Sequence, residues 1–200
     1  MPPSMFGFSI INTDGKARRG ILRTAHGEVP TPVFMPCGTY GAIKGITPEQ
    51  LRSAGVKMIL SNAYHLLLRP GVDTIVELGG LHKFMGWDGP ILTDSGGYQV
   101  FSLAALRKVS DDAVVFQSHI DGETIELTPE KCIEAQIALG ADIIMQLDEC
   151  PPADADEKQV ARAVERTVNW ARRCKETWLK SGNPSTQALF AIQQGGTSLT

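Results

Sequence analysis

Residues 46–60 read ITPEQLRSAGVKMIL, and residues 127–145 read LTPEKCIEAQIALGADIIM. Each stretch begins with a threonine that suits an N-cap, Thr47 or Thr128, followed by a proline at the first helical position. Gln50 completes a capping box in the first stretch. Gly55 and Gly140 stand where a helix would stop in the left-handed conformation. Met58-Ile59-Leu60 and Ile143-Ile144-Met145 then follow as continuous apolar runs, the pattern of strands buried on both faces. A capped helix, a glycine stop and a buried strand, used twice, predict a parallel sheet covered by helices.

Working outward, the same grammar continues. Val72–Leu78 reads as a short helix and Pro90–Thr93 as a strand. Residues 114–127 read as a hairpin turned at Asp121-Gly122. Residues 154–180 form a long amphipathic pattern, with Asp154 and Glu157 as its capping box. On it, Val160, Val164, Val168, Ala171 and Trp178 share one side, while Arg162, Arg166, Arg172, Arg173 and Lys175 form a solvated face. Ala188–Gln193 is the last strand. Toward the N-terminus the pattern changes to antiparallel hairpins. Phe6–Ile11 runs into the Asp14-Gly15 turn, residues 19–22 return, and Val33–Cys37 makes a further short strand. A doubly wound sheet fits these units, and so does a (β/α)8 TIM barrel. The barrel is preferred because Cys37, Asn62, Asp94, Asp148 and Gln194 all fall just after strands, where barrel enzymes carry their chemistry. About five strand units are present against the eight of a closed barrel. Residues 1–200 therefore read as the N-terminal part of one barrel domain, ending inside the start of another helix.

Composition limits the function. The chain is 42% hydrophobic and 20% charged, with a formal charge of −3, and lacks the overall basic footprint of a dedicated nucleic-acid binder. No apolar run approaches the roughly 18 residues of a membrane span, and the N-terminus lacks the pattern of a signal peptide. Cys37, Cys132, Cys150 and Cys174 show neither disulfide nor zinc spacing, so they read as free thiols in a reducing cytosol.

The chemistry concentrates in residues 92–99, LTDSGGYQ. An acid, Asp94, ends a buried strand; Gly96 and Gly97 allow a sharp turn and close backbone approach; Tyr98 offers a ring for stacking. Asp94 and Ser95 equally suit the cap of a following helix. Asp148, before Glu149-Cys150-Pro151-Pro152, ends another strand and fits either a rim salt bridge or acid–base work beside Asp94. Gln194 adds an amide. Two carboxylates and an amide match the donor edge and O6 acceptor of guanine. His26, His82 and His119 read as residues of turns or hairpins with no role; His65 follows a strand and reads either as a pocket residue or, by preference, as a hydrogen-bonded structural histidine.

These residues resemble the queuine/preQ1 tRNA-guanine transglycosylases. The likeness runs through 34–39 (FMPCGT), 61–71 (SNAYHLLLRPG), 92–102 (LTDSGGYQVFS), 147–150 (LDEC) and 189–195, in order, over nearly the whole chain. It implies an exchange of guanine at the wobble position of tRNAs with a GUN anticodon for preQ1, through a covalent ribosyl-enzyme, in queuosine biosynthesis. It implies Asp94 as the acid–base group. Asp94, Ser95, Gly96, Gly97 and Tyr98 would shape the base pocket, and Asp148, Cys150 and Gln194 would complete it. Asn62 and Cys37 would lie on the ribose side. Asp-Glu-Cys resembles the bacterial branch. The resemblance also implies a cytoplasmic homodimer with a structural zinc. The family's nucleophilic Asp, its zinc ligands and most of its tRNA surface correspond to sequence beyond residue 200. Two other readings stand beside it: a non-catalytic subunit or inactive fragment of the same family, and a barrel glycoside hydrolase using Asp94 and Asp148.

Overall fold

The computed structural model describes residues 6–103 and 107–196; the helix start read at the C-terminus lies outside them. The chain opens as an antiparallel sheet of β1 (Gly7–Asp14), β2 (Ala17–Thr24) and β3 (Gly27–Thr31). The Asp14-Gly15 turn is present, with Gly15 at φ 56°, where only glycine is unstrained. Val33–Cys37 departs from expectation. It forms no strand, only a lone parallel bridge from Cys37 to Leu60. Pro32 and Pro36 cannot donate, so a ladder cannot run through them. The Gly38 N–H to Leu60 O bond of 2.7 Å and the Leu60 N–H to Pro36 O bond of 3.0 Å hold the segment in place.

The helix–strand units then appear. They are α1 (Pro48–Ser53), β4 (Ile59–Ser61), α2 (Ala63–Leu68), α3 (Val72–Glu77), α4 (Leu81–Met85), β5 (Ile91–Thr93) and α5 (Gly97–Leu103). An antiparallel excursion of β6 (Arg107–Val109), β7 (Val114–Gln117) and β8 (Thr124–Leu127) follows. The chain resumes with α6 (Pro129–Leu139), β9 (Ile143–Met145), α7 (Glu157–Ser181) and β10 (Ala188–Phe190). The caps read from Thr47, Gln50 and Thr128 form as expected, with Gly140 left-handed after α6. Strands β4, β5, β9 and β10 form one parallel sheet in the order β10-β9-β5-β4, and Cys37 extends it past β4. Neighbours in space therefore follow chain order, without a reversal.

The sheet has two apolar sides. Val29, Met58 and Ile143, with Leu22 and Leu92, pack the N-terminal sheet against it. Ile59, Ile91, Ile144, Leu139 and Trp170 pack it against the helices. Burying each such aliphatic side chain contributes about 1.5–3 kcal/mol.

Helix α7 corrects three expectations. Its cap is Asp156 with Gln159, not Asp154 with Glu157. The Ala155 N–H bonds Pro152 O at 3.0 Å, so Asp154 stays in the turn set by the prolines. Its buried residues are Ala163, Thr167, Trp170, Cys174 and Thr177, roughly a quarter turn from the valine stripe; Val168 is 57% exposed. The basic face is likewise not simply solvated. Arg166 pairs with Glu149 and Asp111, and Arg173 holds Glu130 through two 2.7 Å bonds. Among the described residues no helix is long and apolar enough to cross a membrane.

Candidate functional site

The strand ends bring the expected polar residues together as two short hydrogen-bond chains. In the first, the Cys37 thiol donates to Asn62 Oδ1 at 3.0 Å, and Asn62 Nδ2 donates to Asp94 Oδ2. Gln99 Nε2 adds a bond to the same oxygen at 3.1 Å, and the Ala63 N–H reaches Asp94 Oδ1 at 2.9 Å. In the second, the Ser95 hydroxyl donates to Asp148 Oδ1 at 2.9 Å, and Gln194 Nε2 donates to Oδ2 at 2.7 Å. The cap expected of Asp94 and Ser95 divides between two helices. Ser95 Oγ accepts from the Gly97 N–H at 3.1 Å and so secures the start of α5. Asp94 instead receives the first amide of α2, an element thirty residues earlier in the chain.

Glycine is needed here for proximity. A Cβ on Gly97 would lie 2.6 Å from the Asp148 carbonyl oxygen and 2.7 Å from its Oδ1. Gly96, at φ 77°, makes the turn and presses on Tyr64. The close backbone approach expected of these glycines is therefore to Asp148 itself.

Both acids sit in surroundings that disfavour charge. Burial pushes Asp94 above the usual carboxylate range, against the hydrogen bonds from Asn62, Ala63 and Gln99. Burial likewise pushes Asp148 up, against those from Ser95 and Gln194. No side-chain cation is among these donors. Burial and the neighbouring Asp148 raise the Cys150 thiol, which suits a pocket wall better than a nucleophile. Tyr98 is 64% exposed at the rim. His65 does not meet its expectation: its Nδ1 is buried without a partner, and burial with His119 nearby lowers its pKa. Gln99 and the Ala63 amide escaped the sequence reading. Gln99 lies on the first turn of α5, close enough in sequence to Asp94 for its reach to have been foreseen.

A second polar cluster lies at the opposite end of the strands. Asp142, fully buried just before β9, accepts from His26 Nδ1 at 2.9 Å and His82 Nε2 at 3.1 Å. It also accepts the backbone N–H groups of His26 at 3.1 Å and Ile91 at 2.9 Å. Burial raises Asp142, but the bonds from His82, Ile91 and His26 outweigh it and hold the carboxyl below its usual value. His26 and His82 thus have a role the sequence did not show, and His82 lies on α4, not in a turn. Among the described residues this is the one group whose ligand atoms gather as a metal would require. It does not fit a metal. The two imidazoles are stacked 3.8 Å apart at 22°, so their planes meet only far from either nitrogen. Both Asp142 oxygens are already engaged. A cleft of about 700 Å³ opens beside it, lined by His26, His82, Lys83 and Trp87. That cleft is at the wrong end of the strands for Asp94 and Asp148.

The sequence profile of the queuine tRNA-ribosyltransferases matches residues 13–200. The chain belongs to this family. Curated queuine tRNA-ribosyltransferases similar to it include one from Thermodesulfovibrio yellowstonii, 53% identical over 189 residues, covering 94% of this chain and 49% of the relative. One from Dehalococcoides mccartyi is 58% identical over 182 residues, covering 91% and 45%. One from a Ruegeria species is 51% identical over 192 residues, covering 96% and 50%. The chain thus spans about half the length of these ribosyltransferases.

Proposed function

We propose that these residues form the front part of a (β/α)8 barrel that exchanges guanine in tRNA for preQ1. The barrel reading is supported by the sequential order of the parallel strands, since a doubly wound sheet reverses its order at a switch point. The observation that carries the function is the pair Asp94 and Asp148. They are two carboxyls at one mouth, each held by neutral donors and each raised by burial.

Asp148 and Gln194 already form a donor–acceptor pair, the arrangement needed to hold the N1, N2 and O6 edge of guanine. Asp94 is held by donors that include Asn62, Ala63 and Gln99, and it exchanges one of those bonds when it turns to the base. A carboxylate outside these residues attacks C1′, the C1′–N9 bond breaks, and guanine takes a proton from Asp94. The incoming preQ1 then loses a proton to the Asp94 carboxylate as it displaces the enzyme from C1′. The raised value of Asp94 suits both transfers. The natural setting is the cytoplasm, with tRNAs bearing a GUN anticodon and a second copy of the chain as partners. The residues of this chain supply no ligands to a structural zinc in this reading; such a site would correspond to the half of the relatives that the chain does not cover.

The test is preQ1-dependent release of labelled guanine from tRNA, using a protein of the relatives' length that carries these residues. Stoichiometric release establishes the exchange. Cleavage of a sugar polymer without base release would replace it with the hydrolase.

A further inference from the structure

The strands that carry Asp94 and Asp148 are β5 and β9, and their ladder is short. It pairs Leu92 with Ile143 and Thr93 with Ile144, then ends as Asp94 turns toward Ser61 and Asn62. On the other side of β9, Asp142 O and the Gln146 N–H bond to β10. The even-numbered residues of β9 therefore direct their backbone groups to β10, and Met145 directs both of its own toward the place β5 has left.

A side chain fills that place. Gln136 of α6 is fully buried. Its Oε1 accepts from the Met145 N–H at 2.9 Å, and its Nε2 donates to Met145 O at 2.9 Å. Its amide thus serves Met145 as the next peptide of a strand would. Oε1 also accepts from the Thr93 hydroxyl at 3.0 Å, the residue before Asp94. One turn earlier on α6, the Cys132 carbonyl accepts from Gln136 Nε2 at 3.2 Å, and the Cys132 thiol donates to Ser95 O at 3.3 Å. A single amide is tied to Met145, three residues before Asp148, and through Thr93 and Cys132 to both flanks of Asp94.

We infer that Gln136 is a positioning residue that fixes the spacing of Asp94 and Asp148. It lets β5 stop early enough to release Asp94 while the strand carrying Asp148 stays fully bonded. The inference rests on the base-exchange reading for its kinetic consequence, but its structural part stands without it. A neutral amide also satisfies Met145 without placing a charge beside two acids.

The test compares Gln136→Met and Gln136→Glu in a protein of the relatives' length. Gln136→Met keeps the volume and removes the bonds. Its kcat is expected to fall by about 10- to 100-fold, the scale of misplacement near 1 Å, while KM for tRNA changes less than about twofold. Gln136→Glu mimics the amide when protonated, so its kcat is expected near the parent value at low pH and to fall as pH rises. A lowered Tm with unchanged kcat and pH profile in both variants would make Gln136 a core residue only and overturn the inference. If the parent protein exchanges no base, the functional reading fails by itself. The bracket is then judged by amide hydrogen exchange at Met145: lost protection in Gln136→Met supports it, and retained protection overturns it.

Discussion

Asp142 and Gln136 close opposite ends of the same β5–β9 seam with different chemistry. At the strand entries, Asp142 takes the Ile91 amide and gathers two histidines around a carboxyl held below its usual value. At the strand exits, Gln136 takes Met145 with an amide, and the acids nearby are held above theirs. The entry end joins four elements through a charge with strong partners. The exit end keeps its acids easily protonated by offering them only neutral donors. The two ends thus hold their carboxyls on opposite sides of the usual value.

The sharpest way to break this contrast is Asp94→Asn. Exchange should fall by about a thousandfold or more, within the range of a lost acid–base group, with the far-UV spectrum unchanged. Normal incorporation of labelled guanine would end the assigned role. Asp142→Ala should do the reverse. Leaving the buried Ile91 amide and the two histidines without their acceptor costs on the order of 3 kcal/mol, seen as a lower urea midpoint, while turnover per folded molecule stays near the parent's. Lost turnover with unchanged stability would dissolve the division between the two ends. Ser95→Ala is milder. It removes one neutral bond from Asp148, worth about 1 kcal/mol, so base affinity should weaken by up to about tenfold. The Asp148 carboxyl should also titrate higher, because the Ser95 bond lowers it. The last test changes no residue. Carboxyl carbon resonances should show Asp94 and Asp148 titrating above 3.8 and Asp142 below it. The stability contribution of Asp142 is then present above 3.8 and is lost as pH falls through its depressed value. Those of Asp94 and Asp148 are full below 3.8 and fade as pH rises through their raised values. Three coincident titrations would erase the distinction.

The exit end was largely legible in the sequence. Strand-end acids, glycines and amides are local features, and the capped units around Thr47 and Thr128 fix where strands stop. The entry end was not. His26, His82 and Asp142 meet across 116 and 60 residues, and no spacing rule connects them. Short elements were also missed. Helices α2 and α4, of six and five residues, are too brief to show a period, and β6 is a three-residue, mostly charged strand. The valine stripe of α7 misled because the face that packs carries Thr167, Cys174 and Thr177, polar or small residues that satisfy neighbours instead of advertising a core. Glu149 bonds Thr167 Oγ1 at 3.1 Å, and Leu147 bonds Cys174 Sγ at 3.4 Å.

The sequential strand order bears on how a ribosome delivers this chain. Each parallel strand emerges beside one already made, so the growing sheet can add units as they leave the exit tunnel. The N-terminal hairpins are the exception. His26 waits for Asp142, 116 residues behind it, which at ordinary translation speeds is on the order of ten seconds. During that interval the N-terminal sheet has Met58 and Leu92 to hold, and the part of its apolar face that meets Ile143 stays uncovered.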